Sequence, residues 1–218
     1  MPISTAIEKR NRALVAFTAI TGIRDGAAIS LKLKHFDSVR RLVLQNLKEV
    51  NTKFSKRIDT FLFPLNDLLE QIFIDCIRYL REVELFAATD PLFPKTSLAQ
   101  DENNCFTAIG LSREHWANAT PMRTIFEDAF KCASLPVYTP HSFRHMIVSQ
   151  MYARGLSVAE CEAWSQNLDH EGAMTTLTSY GKISMEEQGR LVRGAKKPDQ
   201  QADLIAQIRS LVAVNKSS

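Results

Sequence analysis

Apolar residues recur at helical spacing along most of this chain, and one segment departs from that repeat. In residues 7–20 the apolar side chains fall on one face of a helix, and Gly22 follows as a typical helix-ending residue. Between residues 32 and 65 the repeat changes toward two residues, which is typical of strands. This order predicts a mainly helical α+β fold with a small antiparallel sheet.

The same signals predict the individual elements. The predicted helices span residues 7–20, 25–31, 66–86, 112–133, 142–154, 157–164 and 175–180, and the predicted strands span 41–45 and 57–64. Asn66 and Ser157 stand where helix N-cap residues belong. Residues 89–104 contain Pro91, Pro94 and a polar run, so we expect a loop there.

The last part of the chain has a pattern of its own. Residues 193–201 are polar and contain the helix breakers Gly194 and Pro198, and an apolar helical face follows them. We therefore expect one domain in residues 1–190, and a polar linker with an amphipathic helix in residues 191–218. The apolar face of that final helix consists of Leu204, Ile205, Ile208, Leu211 and Val212.

The composition is that of an ordinary globular protein, with 45% hydrophobic and 23% charged residues among 218. No stretch approaches the ~20 apolar residues that a membrane span needs. The four cysteines are scattered, which fits a reducing cytosol and predicts a cytoplasmic protein. The net charge of +3 permits nucleic-acid binding, and the basic residues cluster, for example at Lys9, Arg10 and Arg12.

A small set of polar residues carries the chemistry that the sequence suggests. His141 and Arg144 are three residues apart, so they share one face near the start of a helix. Arg24 follows the helix-ending glycine far upstream, and His170 precedes Tyr180 by ten residues. Arginine grips phosphate oxygens, histidine titrates near neutrality, and a phenol becomes reactive among cations. Together these residues suit the attack of a tyrosine on a phosphodiester.

In this order and context the residues resemble the catalytic domain of the tyrosine recombinases, also called phage-type integrases. The resemblance rests on residues 21–24, 140–145, 168–170 and 175–181, and it extends over residues 7–181. It implies a site-specific recombinase or integrase of a mobile genetic element, which cleaves and rejoins duplex DNA through a 3′-phosphotyrosyl intermediate. Tyr180 would be the nucleophile of that reaction.

The resemblance assigns roles to the other residues as well. It makes Arg24 and Arg144 the paired phosphate-binding arginines, and it gives His170 a hydrogen bond to the scissile phosphate. His141 would orient or deprotonate the nucleophile, as a histidine with a near-neutral pKa can. We interpret the remaining histidines as structural residues: His35, His115 and His145.

The resemblance also suggests a general acid and shows two departures from the family pattern. In the family, a lysine on the turn between two strands protonates the leaving 5′ oxygen; Lys53 matches that place best, with Lys56 as the alternative. The family often has an acidic residue where Ala27 stands, and usually has glycine where Asp169 stands. Both departures concern the support of the site rather than the reacting groups.

The resemblance also implies the partners of the chain. They are duplex DNA and further copies of the protein, as a tetramer in the synaptic complex or a monomer alone, with no cofactor, no metal and no membrane. The protein would be encoded by a bacterium or a phage and would be associated with the nucleoid. Family members usually carry an N-terminal helical domain that clamps DNA. Because the pattern begins almost at Met1, the chain is either a catalytic-domain fragment, which we favour, or a natural short protein. The final helix either docks on its own domain or, as in many recombinases, on a neighbouring protomer.

Three other functions compete with this interpretation. A zinc hydrolase would use His141 and His145, which are four residues apart, but Ser142 stands where a zinc peptidase needs glutamate. A type IB topoisomerase shares the tyrosine chemistry and relaxes DNA without exchanging partners. A catalytically silent DNA-binding protein would not need Tyr180 together with two arginines. The sequence therefore favours recombination.

Overall fold

The computed structural model describes residues 1, 3–52, 57–100, 102, 104–170 and 185. The chain divides into two units, Met1–Gly181 and Lys182–Ser218, and every described residue except Met185 belongs to the first. The predicted helices over residues 175–180 and 204–212 lie outside the described residues. The predicted domain boundary between residues 190 and 191 also lies outside them and stays a prediction.

The described part of the chain is mainly helical, with short antiparallel strands. In chain order its elements are α1 (Ala6–Thr21), α2 (Asp25–Ala28), a 3₁₀ turn (Leu33–His35), β1 (Phe36–Asp37), β2 (Leu42–Gln45), β3 (Ile58–Phe61), α3 (Asp67–Glu82), β4 (Thr96–Gln100), β5 (Phe106–Leu111), α4 (Thr120–Cys132), α5 (Ser142–Ala153) and α6 (Val158–Asn167). β2 pairs antiparallel with both β1 and β3, and β4 pairs antiparallel with β5. The prediction of a mainly helical α+β fold with a small antiparallel sheet is confirmed.

Local capping signals set the helix ends. The side chain of Asn66 accepts hydrogen bonds from the backbone amides of Leu68 and Leu69, which begins α3 at the predicted place. Ser157 forms a capping box with Glu160 at the start of α6. These residues satisfy amides that the first helical turn leaves without a partner, so their positions could be predicted from sequence.

One segment was predicted wrongly, and one predicted helix begins later than expected. Residues 89–104 were expected to form a loop, but they contain β4, which pairs with β5. Leu98, Phe106 and Ile109 are exposed on this hairpin, so its sequence does not show the alternation of a half-buried strand. The helix predicted over residues 112–133 begins at Thr120, with Pro121 in its first turn.

The main core lies between α1 and α3 and is rich in aromatic rings. The ring centroids of Phe17 and Phe73 are 4.6 Å apart, and those of Phe17 and Phe93 are 5.2 Å apart. A second cluster of buried side chains includes Leu168, which directly follows α6; its other members are Phe63, Ile147, Val148 and Met151. This second cluster supports the loop that follows α6, where predicted site residues lie.

Arg10, which the sequence groups with Lys9 and Arg12 in a basic cluster, does not lie on the surface. Its side chain is buried, donates to the carbonyl oxygen of Pro94 and to Thr96 Oγ1 (2.9 Å), and lies 4.8 Å from the ring centroid of Trp116. Burial lowers its pKa to about 10. Arg10 therefore fastens α1 to the start of β4, and it does not belong to a surface that could bind DNA.

Candidate active site

Arg144, in the first turn of α5, is buried and held by backbone carbonyls. The residue is only 4% exposed, and its Nη1 donates to the carbonyl oxygen of Gly22 at 2.7 Å. Its Nη2 donates to the carbonyl oxygen of Leu168. The guanidinium thus joins the end of α1 to the loop after α6, and backbone atoms fix its orientation.

Gly22 allows the end of α1 to lie close to α5 and to the loop after α6. It ends α1 with a φ of 60°, in the left-handed region that glycine enters without strain. A Cβ atom added here would lie 2.8 Å from Ile147 Cδ1 and 2.8 Å from Leu168 Cδ2. A larger residue would have to displace the side chains of Ile147 and Leu168, and its Cβ would also lie 3.4 Å from Arg144 Cγ.

Arg24 stands two residues further along, at the N-cap of α2, with an extended backbone. Its Nη1 lies 2.8 Å from Oδ2 of Asp169, and the two side chains are 29% and 21% exposed. Arg24 therefore contacts the same loop after α6 that Arg144 holds. The sequence predicted both arginines as site residues, and the structure brings them together.

His170 contacts the Arg144 guanidinium directly. Its Nε2 lies 2.9 Å from Nη2 of Arg144. Because guanidinium nitrogens can only donate, Nε2 must accept, and the proton of the neutral ring is on Nδ1. Burial, followed by the charges of Arg144 and Arg24, lowers the pKa of His170 to about 4. The ring is therefore neutral at pH 7 and can donate a hydrogen bond from Nδ1.

His141 immediately precedes α5 and, like Arg24 and Arg144, lines one cleft. Partial burial of the ring, followed by the charges of His145 and Arg144, lowers its pKa below the usual value. The ring centroids of His141 and His145 are 5.1 Å apart and the rings are nearly perpendicular. At pH 7 the His141 ring is therefore neutral, which is the state that can accept a proton from a nucleophile.

The cleft between α2, α4 and the start of α5 collects most of these groups. Its cationic side chains can neutralise an anion such as a phosphate, and Asp25 is the carboxylate on its wall. Asp25 is held by Arg123 of α4, whose Nη2 lies 2.6 Å from Oδ2. The lining residues are Ile23, Arg24, Asp25, Arg123, Thr139, Pro140, His141 and Arg144.

Three predicted site residues cannot be placed. Lys53, its alternative Lys56, and Tyr180 lie outside the described residues. The predicted structural role of His35 agrees with its burial: Nδ1 accepts from the Lys32 amide, and Nε2 lies 3.0 Å from a Glu49 carboxylate oxygen. The catalytic roles of all predicted site residues stay predictions.

Sequence reasoning missed Asn167, which fastens the same loop to the sheet. Its Nδ2 donates to the carbonyl oxygen of Phe61 at 3.0 Å, and its Oδ1 accepts from the Phe61 amide at 2.7 Å. The side-chain amide therefore pairs with the edge of β3 as a neighbouring strand would. The partners are 106 residues apart, so no local sequence signal could have revealed the pair.

Other kinds of site find little support in the described residues. No group of three or more His, Cys, Asp or Glu side chains there is arranged to hold a metal ion, so His141 and His145 lack a third ligand within that part of the chain. Among the same residues, no helix is both long enough and apolar enough to span a membrane.

Comparison with known proteins points to one family. The sequence model of the phage integrase family matches residues 2–187 of this chain. The search of curated proteins gives no match.

Several solved structures are similar to this one. XerA recombinase has a TM-score of 0.58 and 17% identity, over 88% of this chain and 61% of the XerA chain. The integrase of mycobacterium phage Brujita has a TM-score of 0.49 and 15% identity, over 83% and 48% of the two chains. The Tn1549 transposon integrase, solved with circular intermediate DNA, has a TM-score of 0.47 and 18% identity, over 85% and 57%.

The similarity to XerA recombinase concerns the fold, because the two sequences are only 17% identical. It confirms the predicted tyrosine-recombinase-like fold. The chain spans less than two thirds of the length of each of these three proteins.

Proposed function

The chain belongs to the phage integrase family, and we propose that it is a site-specific recombinase that cleaves and rejoins duplex DNA through a 3′-phosphotyrosyl intermediate. The single observation that carries the proposal is the pair of arginines on one cleft. Arg144 is fixed by backbone carbonyls and Arg24 reaches the same loop from α2. Both guanidinium groups keep their positive charge, which suits them to the non-bridging oxygens of a phosphodiester.

These groups would act on the charge that develops at phosphorus. Attack adds negative charge to the phosphate oxygens, and donors that are already oriented stabilise it without reorganising. Arg144 meets that condition because backbone atoms hold its guanidinium. Neutral His170 would add a hydrogen bond from Nδ1, since its Nε2 is engaged by Arg144.

The proposed reaction is a transfer of the phosphoryl group to tyrosine. The Tyr180 oxygen attacks phosphorus and its proton passes to His141. The bond between phosphorus and the 5′ oxygen breaks, and that oxygen takes a proton from Lys53. The 3′ phosphate stays as an ester on Tyr180, and attack by a 5′ hydroxyl group of another strand reverses the step. The roles of Tyr180 and Lys53 rest on family membership.

The organisation of the protein follows the same proposal. Residues 1–190 would form the catalytic domain, and residues 191–218 a linker and an amphipathic helix available for contact with another protomer. The partner would be duplex DNA, with a tetramer in the synaptic complex. The reaction conserves the energy of the phosphodiester in the tyrosyl ester, so neither a nucleotide nor a metal ion takes part.

The test is a covalent adduct that can be rejoined. The 218-residue chain is incubated with a pool of nicked duplexes, randomised around the nick and labelled at the 5′ end, in excess chelator and without nucleotide. We expect a labelled protein band that resists denaturation and disappears after protease treatment. A second duplex with a 5′ hydroxyl group should convert the adduct into a ligated product.

Two results would overturn the proposal, and a third would favour a different enzyme. The proposal is overturned if cleavage requires a divalent metal, or if the label remains on the protein only when it is placed at the 3′ end. A protein that forms the adduct and relaxes supercoiled plasmid, but never transfers the cleaved strand to the second duplex, would favour a type IB topoisomerase.

A further inference from the structure

We propose that Asp169 positions Arg24 for phosphate binding, serving as its counterion until a phosphate of the DNA replaces it. The inference rests on the proposed function, because the replacing anion is a DNA phosphate. The carboxylate oxygen Oδ2 lies 2.8 Å from Nη1 of Arg24, a distance typical of a charged hydrogen bond. A phosphate oxygen that binds Arg24 would offer the same kind of acceptor.

The two arginines of the cleft are held in different ways. Arg144 donates to the carbonyls of Gly22 and Leu168, which belong to the backbone and cannot leave without unfolding. Within the described residues, Arg24 is held by the carboxylate of Asp169, which can leave by rotating about its side-chain bonds. Arg24 is therefore the arginine whose partner can be exchanged.

The backbone aims Asp169 at Arg24. Asp169 has a φ of 57°, in the left-handed region that few residues other than glycine adopt, although aspartate tolerates it better than most. Its amide donates to the carbonyl oxygen of Gln166 at 2.8 Å. On either side of it, the Leu168 carbonyl and the His170 ring both contact Arg144. The carboxylate is thus presented to Arg24 from a loop that Arg144 keeps in place.

The exchange has a consequence for the salt dependence of DNA binding. A cationic side chain that neutralises a phosphate releases a condensed counterion, so log K falls by about 0.9 per log unit of salt for each such contact. In the native protein, Arg24 exchanges one anion for another, because Asp169 is set free when the phosphate binds. Without the Asp169 charge, Arg24 adds a full contact, and the salt dependence becomes steeper by about 0.9.

The test compares three substitutions at one position. Asp169→Asn keeps an acceptor oxygen and removes the charge, whereas Asp169→Ala removes both. Asp169→Gly also removes both, but it accepts the left-handed backbone without strain. Glu127→Gln is the matched control, because Glu127 pairs with Lys131 on the exposed side of α4 and lies outside the cleft lining. Urea unfolding of each variant verifies that the fold is intact.

Duplex binding is measured over a series of NaCl concentrations. Adduct formation is measured at nicked-duplex concentrations well below saturation, so that its rate includes the binding of phosphate by Arg24. We expect all three Asp169 variants to show a salt dependence steeper by about 0.9 than the native chain. Asp169→Asn should form adduct at a rate close to native. Asp169→Ala and Asp169→Gly should be slower by about 10- to 100-fold, because the guanidinium is no longer oriented.

A native salt dependence in Asp169→Asn overturns the exchange, and this measurement needs binding alone. A native adduct rate in Asp169→Gly, or an equally slow Asp169→Asn, overturns the positioning role. If the native chain forms no adduct at all, the proposed function fails, and the salt dependence still tests whether Asp169 and phosphate compete for Arg24.

Discussion

Replacing Arg144 by lysine should destabilise the fold, and much more than the same change at Arg24. Arg144 is 4% exposed, and the nitrogens of its fork reach the Gly22 and Leu168 carbonyls at once. A lysine has one terminal nitrogen on a shorter side chain, so it cannot supply both hydrogen bonds. A hydrogen bond from a charged donor contributes ~1.5–3 kcal/mol, and a buried carbonyl left without a donor costs ~1–3 kcal/mol.

We therefore expect Arg144→Lys to lower the free energy of unfolding by about 2–4 kcal/mol. Arg24→Lys should lower it by less than about 1 kcal/mol, since the ion pair with Asp169 is partly exposed and lysine can still reach the carboxylate. Both variants should form the covalent adduct slowly, by a factor of about 10²–10³, because an ammonium group cannot reproduce the planar fork.

The assay is urea unfolding followed by tryptophan fluorescence, because the Trp164 ring packs 4.8 Å from Phe63 in the cluster below the site. Equal destabilisation by the two lysine substitutions would contradict the reasoning, since it would mean that the buried carbonyls do not depend on Arg144. A loss of adduct in Arg24→Lys, which should remain folded, reports on the chemistry alone.

Two further predictions follow from the same loop. The folded-state pKa of His170, about 4, is below its ordinary value of 6.5, so the unfolded state binds more protons between these values and stability should fall as pH decreases from about 6.5 to 4; unfolding curves of His170→Gln should lack that part of the decrease, and an unchanged pH dependence would contradict it. Gly22→Ala should cost about 2–4 kcal/mol, from left-handed backbone strain and from contacts with Ile147 and Leu168. Gly155→Ala, with a φ of 61° and no described heavy atom within 4 Å of an added Cβ, should cost only the ~1–2 kcal/mol of strain, and equal losses for the two would exclude the packing effect.

The features that could be predicted from the sequence are those whose causes are local. Helix ends could be predicted at Asn66, Ser157 and Gly22, because capping and left-handed termination depend on a few neighbouring residues. The spacing of His141 and Arg144 likewise fixes a shared helical face. The juxtaposition of Arg24 with Arg144 was expected from the family resemblance, since no local pattern joins residues so distant in the chain.

The features that were missed have causes that are distant or weakly patterned. The pair formed by Arg24 and Asp169 joins residues 145 positions apart, and the sequence showed Asp169 only as a departure from the family pattern. The β4–β5 hairpin exposes apolar side chains, so alternation could not reveal it. Arg10 looked like a surface cation because its acceptor, the Pro94 carbonyl, belongs to a backbone position that only the folded chain supplies.

The most direct test of the central claim is to identify the amino acid that carries the DNA. The adduct formed on nicked duplex is digested with trypsin and nuclease, and the modified peptide is identified by mass spectrometry. We expect the nucleotide remnant on Tyr180, and no adduct in Tyr180→Phe, which removes the hydroxyl group and leaves the ring. Tyr138→Phe is the matched control and should form adduct at the native rate. A remnant on Tyr79, Tyr138 or Tyr152, or an adduct that persists in Tyr180→Phe, would contradict the account.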